Sequence, residues 1–173
     1  MIFKREYIVC LVFSFIFLVV TTIIGIIYGY SVEHSIANQT YNELSETFHE
    51  TSIFSIFLNN CYIALVAFIP VYGVIFISFV SFNTGFYVGC IGQVANTPIS
   101  TSFSVYFMNI VFLIEYLAYS LSLAESINLT YLAMKYGKNE FIERLRYDTW
   151  RIILLVVFLL FIGAVIEWFT ITS

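Results

Sequence analysis

Between Thr51 and Ile114 the chain has no Asp, Glu, Lys, Arg or His, a gap of 64 residues. Charge is scarce throughout, at 10% of the 173 residues, where soluble domains carry about 25%. An ordinary water-soluble domain is thereby excluded. Lys and Arg together number seven, too few and too dispersed for a nucleic-acid surface. The three cysteines, Cys10, Cys61 and Cys90, each stand in an apolar run. They read as small buried hydrophobes, not as disulfides or metal ligands. There is no Gly-rich phosphate loop, Ser-His-Asp set, HExxH or CxxC, which argues against an autonomous hydrolase or ATPase. No cofactor or metal is expected.

What is present is apolar: 61% hydrophobic and 20% aromatic, with a mean hydropathy of +0.94. The uncharged stretch is long enough to cross a bilayer of roughly 30 Å about three times, at some 20 residues per helix. The composition predicts an all-α, polytopic helical membrane protein with one membrane domain. About five spans are expected, over residues 7–28, 53–70, 71–92, 103–134 and 152–170. The first apolar run continues to about Tyr28 without a small-residue cleavage site, so it reads as a span and not as a cleavable signal. A tight turn at Pro70-Val71-Tyr72-Gly73 separates the second span from the third. A polar loop around Asn96-Thr97-Pro98 follows the third.

Two polar segments interrupt the apolar pattern. The outer one, residues 31–52, holds Glu33, Glu43, Glu46 and Glu50 with His34 and His49, and no Lys or Arg. Tyr41, Leu44 and Phe48 recur there at helical spacing, as in an amphipathic helix lying over the bundle mouth. Asn38-Gln39-Thr40 matches a glycosylation acceptor. Glu43-x-x-Glu46-x-x-His49 has a spacing that metal-binding helices use, but one loop offers too few ligands to close a site. The inner segment, residues 135–151, is basic, with Asn139 as a helix cap, a Glu140–Arg144 pair and an apolar side of Phe141, Ile142, Leu145 and Trp150. Five spans place all seven Lys and Arg on one side, the N-terminus in the cytoplasm and the C-terminus outside. Four spans would strand five basic residues outside.

The polar residues inside the spans are the site candidates. A polar group facing hydrocarbon costs several kcal/mol unless protein satisfies it, so Asn59, Asn60, Asn83 and Glu115 should face the bundle interior. Glu115 reads as mid-span, where an ionised carboxylate is expensive. Glu125 lies closer to the inner boundary, within reach of interfacial water, and carries less weight. Gly25 and Gly29 in the first span, and Gly85, Gly89 and Gly92 in the third, make small-residue faces for close helix packing. Lys138, Arg144, Arg146 and Arg151 form the expected cytoplasmic docking surface.

With these residues in place, the middle of the chain resembles the stage II sporulation protein M family of integral membrane proteins. The resemblance rests on Phe57-Leu58-Asn59-Asn60, Pro70-Val71-Tyr72-Gly73, Phe82-Asn83-Thr84-Gly85-Phe86-Tyr87-Val88-Gly89 and Ile114-Glu115-Tyr116-Leu117-Ala118-Tyr119-Ser120, in the family's order. The chain reads as a divergent or archaeal member, its isoleucine-, tyrosine- and phenylalanine-rich composition being compatible with an archaeal source. Where the family often has Pro-His-Gly before its glutamate, this chain reads Ile110-Val111-Phe112, so no role for that histidine is carried over. Bacterial members are membrane partners of cell-wall-remodelling proteins, but the family also occurs in organisms that do not sporulate.

The expected function is therefore a non-enzymatic, multi-pass protein of the cell membrane, a scaffold or subunit of a membrane complex. Its partners would be the lipid bilayer and other membrane or cytosolic subunits, or further copies of itself. The alternative is a permease-like transport component paired with a cytosolic ATPase, with the intramembrane asparagines and Glu115 lining the path.

Overall fold

The computed structural model describes residues 5–48 and 52–172, with side chains described outside 46–51 and 171–172. Among the described residues the chain is helical and has no strand. The helices are α1 (Arg5–Ser31), α2 (His34–Phe48), α3 (Ile53–Ala67), α4 (Tyr72–Val94), α5 (Ile99–Phe107), α6 (Ile110–Lys135), α7 (Lys138–Arg144) and α8 (Trp150–Thr172), with a π-helical turn over Leu145–Thr149 between the last two. Four helical stretches are long and apolar enough to cross a membrane: α1, α4, α6 and the continuous run from Lys138 to Thr170. Their outward side chains, such as Phe13, Phe79 and Phe158, are apolar and exposed, which is the surface a bilayer covers. This is an all-α polytopic membrane protein.

The bounds differ from the expected spans in two places. The stretch expected as one span over 103–134 is broken at Met108-Asn109 into α5 and α6. The break has a local cause: the Asn109 side chain accepts a hydrogen bond from the Val111 N–H at 2.9 Å and caps α6, and a capping asparagine favours a helix start over a helix interior. The span expected over 53–70 is helical only from Ile53 to Ala67. Those 15 residues rise about 22 Å at 1.5 Å each, short of the roughly 30 Å hydrocarbon layer.

The turn after α3 is tight because backbone groups meet there. Val71 has φ 66°, a left-handed value unusual for a β-branched residue. Its N–H donates to Thr130 Oγ1 at 3.1 Å, and the Ser126 hydroxyl donates to the Ile69 carbonyl at 2.9 Å. A Cβ at Gly73 would stand 2.1 Å from the Ala67 carbonyl oxygen. The turn is therefore pinned to the lower half of α6.

Contacts between helices set their directions. Gly25 meets Phe82 and Gly29 meets Phe86, so α1 and α4 run parallel. Thr22 bonds Tyr116 while Cys10 lies against the Ala124 carbonyl, so α6 runs antiparallel to α1. Asn60 meets Glu115 and Ile69 meets Ser126, so α3 and α6 run together. Gly163 packs near Glu115 while Thr149 bonds Glu125, so α8 opposes α6. Helix α6 is the centre of the bundle, and every residue from Ala118 to Ser126 is buried.

One end of the bundle gathers the starts of α1, α4 and α8 with the ends of α3 and α6, and carries every described Lys and Arg. The opposite end carries Glu33, His34, Glu43 and Glu167. There α2 packs on α4 and buries Ala37, whereas Tyr41, expected on its apolar face, is exposed. His49 and Glu50, and the side chains of Glu46 and Phe48, lie outside the described residues, as does the full metal-like spacing of that segment. Cys61 and Cys90 are buried, Cys10 is half-buried, and all three are free thiols.

Candidate functional site

The two small-residue motifs, separate in sequence, face each other in the fold. A Cβ on Gly25 would stand 2.2 Å from the Phe82 carbonyl oxygen, and one on Gly29 would stand 2.4 Å from that of Phe86. Reciprocally, a Cβ on Gly85 would meet the Thr22 carbonyl at 2.1 Å and one on Gly89 that of Ile26 at 2.4 Å. Backbone lies on backbone along four glycines, which only residues without a side chain allow. Gly92 serves a different contact. It leaves room for the Tyr30 hydroxyl, which bonds Ser102 at 2.6 Å and ties α5 to α1.

Helix α6 carries two carboxylates, one toward each end of the bundle. Near the acidic end, Glu115 Oε1 accepts a hydrogen bond from Asn60 Nδ2 of α3. Asn59 Nδ2 donates to Asn60 Oδ1 at 3.4 Å, although Asn59 itself is exposed. Because α6 starts at Ile110, Glu115 is less than two turns from the helix start and not at mid-span. It lines a half-open cavity of about 300 Å³ together with Glu167 of α8, Tyr106, Asn109, Phe112 and Thr170. Next to the cavity the Phe112 ring meets Tyr106 and Tyr116 at a tilt and Phe107 edge-to-face, with centroids 4.9, 4.0 and 4.9 Å away respectively. The Tyr116 hydroxyl bonds Thr22 of α1. Asn83, half-buried on α4, makes no side-chain hydrogen bond among the described residues. The structure thus joins Asn59, Asn60 and Glu115 and leaves Asn83 apart.

Near the basic end, Glu125 is completely buried. It does not reach interfacial water; it meets an arginine. Arg144 Nε donates to Glu125 Oε1 at 2.8 Å and Nη2 to Oε2 at 2.7 Å, a two-pronged pairing. The Thr149 hydroxyl adds a third bond to Oε1 at 2.7 Å. The remaining Arg144 prong, Nη1, holds Asp148 Oδ2 at 2.8 Å, and the guanidinium lies 5.4 Å from the centre of the Tyr7 ring. The π turn makes this geometry. Residues five apart on an α-helix point about 140° from each other, whereas an i→i+5 turn stacks them. Arg144 and Thr149 consequently address the same carboxylate, and Thr149 Oγ1 also reaches the Arg144 carbonyl at 3.2 Å.

Arg144 therefore does not belong to the docking surface expected of it, because its guanidinium is occupied inside the fold. Lys138, Arg146 and Arg151 are exposed. Sequence reasoning placed Glu125 among the candidates but had no signal for its partner, which is 19 residues away across a helix end and an irregular turn. Nothing in the local pattern around Glu167 indicated that it would share a cavity with Glu115.

No curated protein and no solved structure matches this chain. The family model for stage II sporulation protein M matches residues 14–171, which spans both carboxylates, the glycine seam and the π turn, and the chain belongs to that family.

Proposed function

We propose that this protein is a non-enzymatic, multi-pass component of the cell membrane, acting as a scaffold or subunit of a membrane complex. The observation that carries the reading is how the buried polar groups of the bundle are engaged. Glu125 is matched by Arg144 and Thr149, Arg144 by Asp148, and Asn60 by Glu115. Groups that line a solute path must exchange partners with what passes. Here they bond one another and link α3 to α6, and α6 to α7 and the π turn, which is the use that rigid helix packing makes of them.

The glycine seam supports the same reading, since it brings α1 and α4 into backbone contact over residues 22–29 and 82–90. A rigid bundle with an exposed basic end suits the presentation of a fixed surface to a partner. The exposed Lys138, Arg146 and Arg151 are the cytoplasmic docking residues in this proposal. The test is affinity purification of the tagged, cross-linked protein from its native membrane, beside Lys138→Gln/Arg146→Gln/Arg151→Gln. A stoichiometric partner retained by the parent chain and depleted at least about tenfold by the triple variant is expected. Solute or proton flux by the purified protein in liposomes, abolished by Glu115→Gln, would overturn the proposal.

A further inference from the structure

Three of the cations at the basic end share an arrangement that Arg144 and Lys138 do not. Each is exposed, and each lies against an aromatic ring that is itself about half exposed. Lys135 Nζ lies 5.0 Å from the ring centre of Tyr131 and 5.2 Å from that of Tyr136. The Arg146 guanidinium lies 5.6 Å from the Tyr147 ring, and that of Arg151 lies 5.7 Å from the Trp150 ring. These rings are 47–55% exposed: Tyr131 49%, Tyr136 55%, Tyr147 53% and Trp150 47%. All are placed where an apolar helix meets a polar segment, at the end of α6 and the beginning of α8.

Exposed tyrosine and tryptophan at that level belong to the headgroup layer, where an amphipathic ring is half in hydrocarbon and half in water. A cation held beside such a ring stands at the depth of the lipid phosphates. Among the described residues this end exposes five cations (Arg5, Lys135, Lys138, Arg146 and Arg151) against three acids, Glu6, Glu140 and Glu143. The opposite end exposes Glu33 and Glu43 and has no described Lys or Arg. The charge asymmetry is therefore aligned with the ring of cation–aromatic pairs.

We propose that Lys135, Arg146 and Arg151, each with its neighbouring aromatic ring, form a binding surface for anionic phospholipid headgroups around the basic end of the bundle. Anionic lipids are drawn to basic side chains at a membrane surface, and each ring fixes its cation at phosphate depth. The inference rests on the basic end used in the scaffold reading: Arg146 and Arg151 meet lipid headgroups as well as the docked partner, Lys135 meets lipid, and Lys138, with no ring beside it, meets the partner alone. Enriched anionic lipid would hold the bundle at a set depth and tilt while a partner docks.

The chain has two tryptophans, Trp150 at the basic end and Trp168 at the acidic end, so each can report on its own lipid neighbours. Trp168→Phe leaves Trp150 alone, and Trp150→Phe leaves Trp168. Each protein is reconstituted in vesicles of equal phosphatidylcholine and phosphatidylglycerol, with the acyl chains of one lipid or the other brominated to quench tryptophan fluorescence. Brominated phosphatidylglycerol should quench Trp150 at least about twofold more effectively than brominated phosphatidylcholine, and the two should quench Trp168 equally. Salt at 1 M, where screening acts over about 3 Å, should abolish the preference without any substitution. So should Lys135→Gln/Arg146→Gln/Arg151→Gln, with its helical circular dichroism retained.

Equal quenching of Trp150 at low salt overturns the proposal, and is also the result if these cations dock only to protein. A preference that survives the triple variant, or one seen equally at Trp168, overturns it too. Because the readout is lipid proximity, failure here leaves a partner recovered by affinity purification untouched, and loss of that partner leaves a lipid preference untouched.

Discussion

Helix α6 carries two carboxylates inside the bundle, Glu125 fully buried and Glu115 half-buried, that solve one physical problem in opposite ways. Glu125 has a full complement: a two-pronged arginine, a threonine hydroxyl and no exposed surface. Glu115 has one amide donor from Asn60 and an open cavity shared with a second acid, Glu167. The first is a closed ion pair built into the fold, and the second is a neutral-donor contact beside a void. The difference teaches that position in a span does not decide how a carboxylate is accommodated. What decides it is which side chains the neighbouring helix ends can deliver, and among the described residues Lys and Arg stand at one end only.

The contrast can be broken most severely at the closed pair. Arg144→Met leaves Glu125 buried without its cation, and a severed buried pair costs about 3–5 kcal/mol. Thermal unfolding in detergent, followed by helical circular dichroism, should show the largest drop of any substitution described here. Replacing both partners, as Arg144→Met/Glu125→Leu, should recover most of the loss, because two apolar groups need no compensation. If the single and double variants melt alike, the pair is not what holds α7 and the π turn to α6.

A smaller effect is expected at the other carboxylate. Asn60→Leu removes the one donor that Glu115 has among the described residues, and a polar group left unsatisfied costs about 1–3 kcal/mol. The open cavity gives the Glu115 side chain room to turn toward its mouth, so the loss should fall at the low end of that range. A loss as large as that of Arg144→Met would mean that the two sites are equivalent, and the comparison would fail.

The smallest effect is expected from Glu115→Gln. The amide oxygen still accepts from Asn60 Nδ2 and the side chain keeps its shape, so stability should change by less than about 1 kcal/mol. The same substitution at the other site, Glu125→Gln, loses the charge that Arg144 requires and should cost at least twice as much. Measuring the two glutamine variants side by side tests the comparison in its narrowest form.

Much of the architecture was legible in the residue order. An uncharged run of 64 residues admits no soluble fold, and the clustering of Lys and Arg predicted which helix ends would lie together. Gly25, Gly29, Gly85 and Gly89 were recognisable as packing faces because small residues four apart share one side of a helix. That the first pair would meet the second was not legible, since the spacing of a motif contains no reference to its partner. The broken helix at Asn109 was hidden for a related reason. A capping asparagine and a mid-helix asparagine look alike until the chain on either side has chosen its direction.

The sequence by itself determined the solvent of this protein, its helical class and its family, because hydropathy and charge act residue by residue and need no partner to be read. It also confined the basic residues to one end. The tertiary structure alone decided that Arg144 is withdrawn from the surface into a pair with Glu125, and that Asn60 reaches Glu115 while Asn83 stands apart. Those outcomes depend on where the packed helices and a π turn place side chains relative to one another. A buried carboxylate must be satisfied by whatever that placement brings within about 3 Å, and no local pattern specifies it.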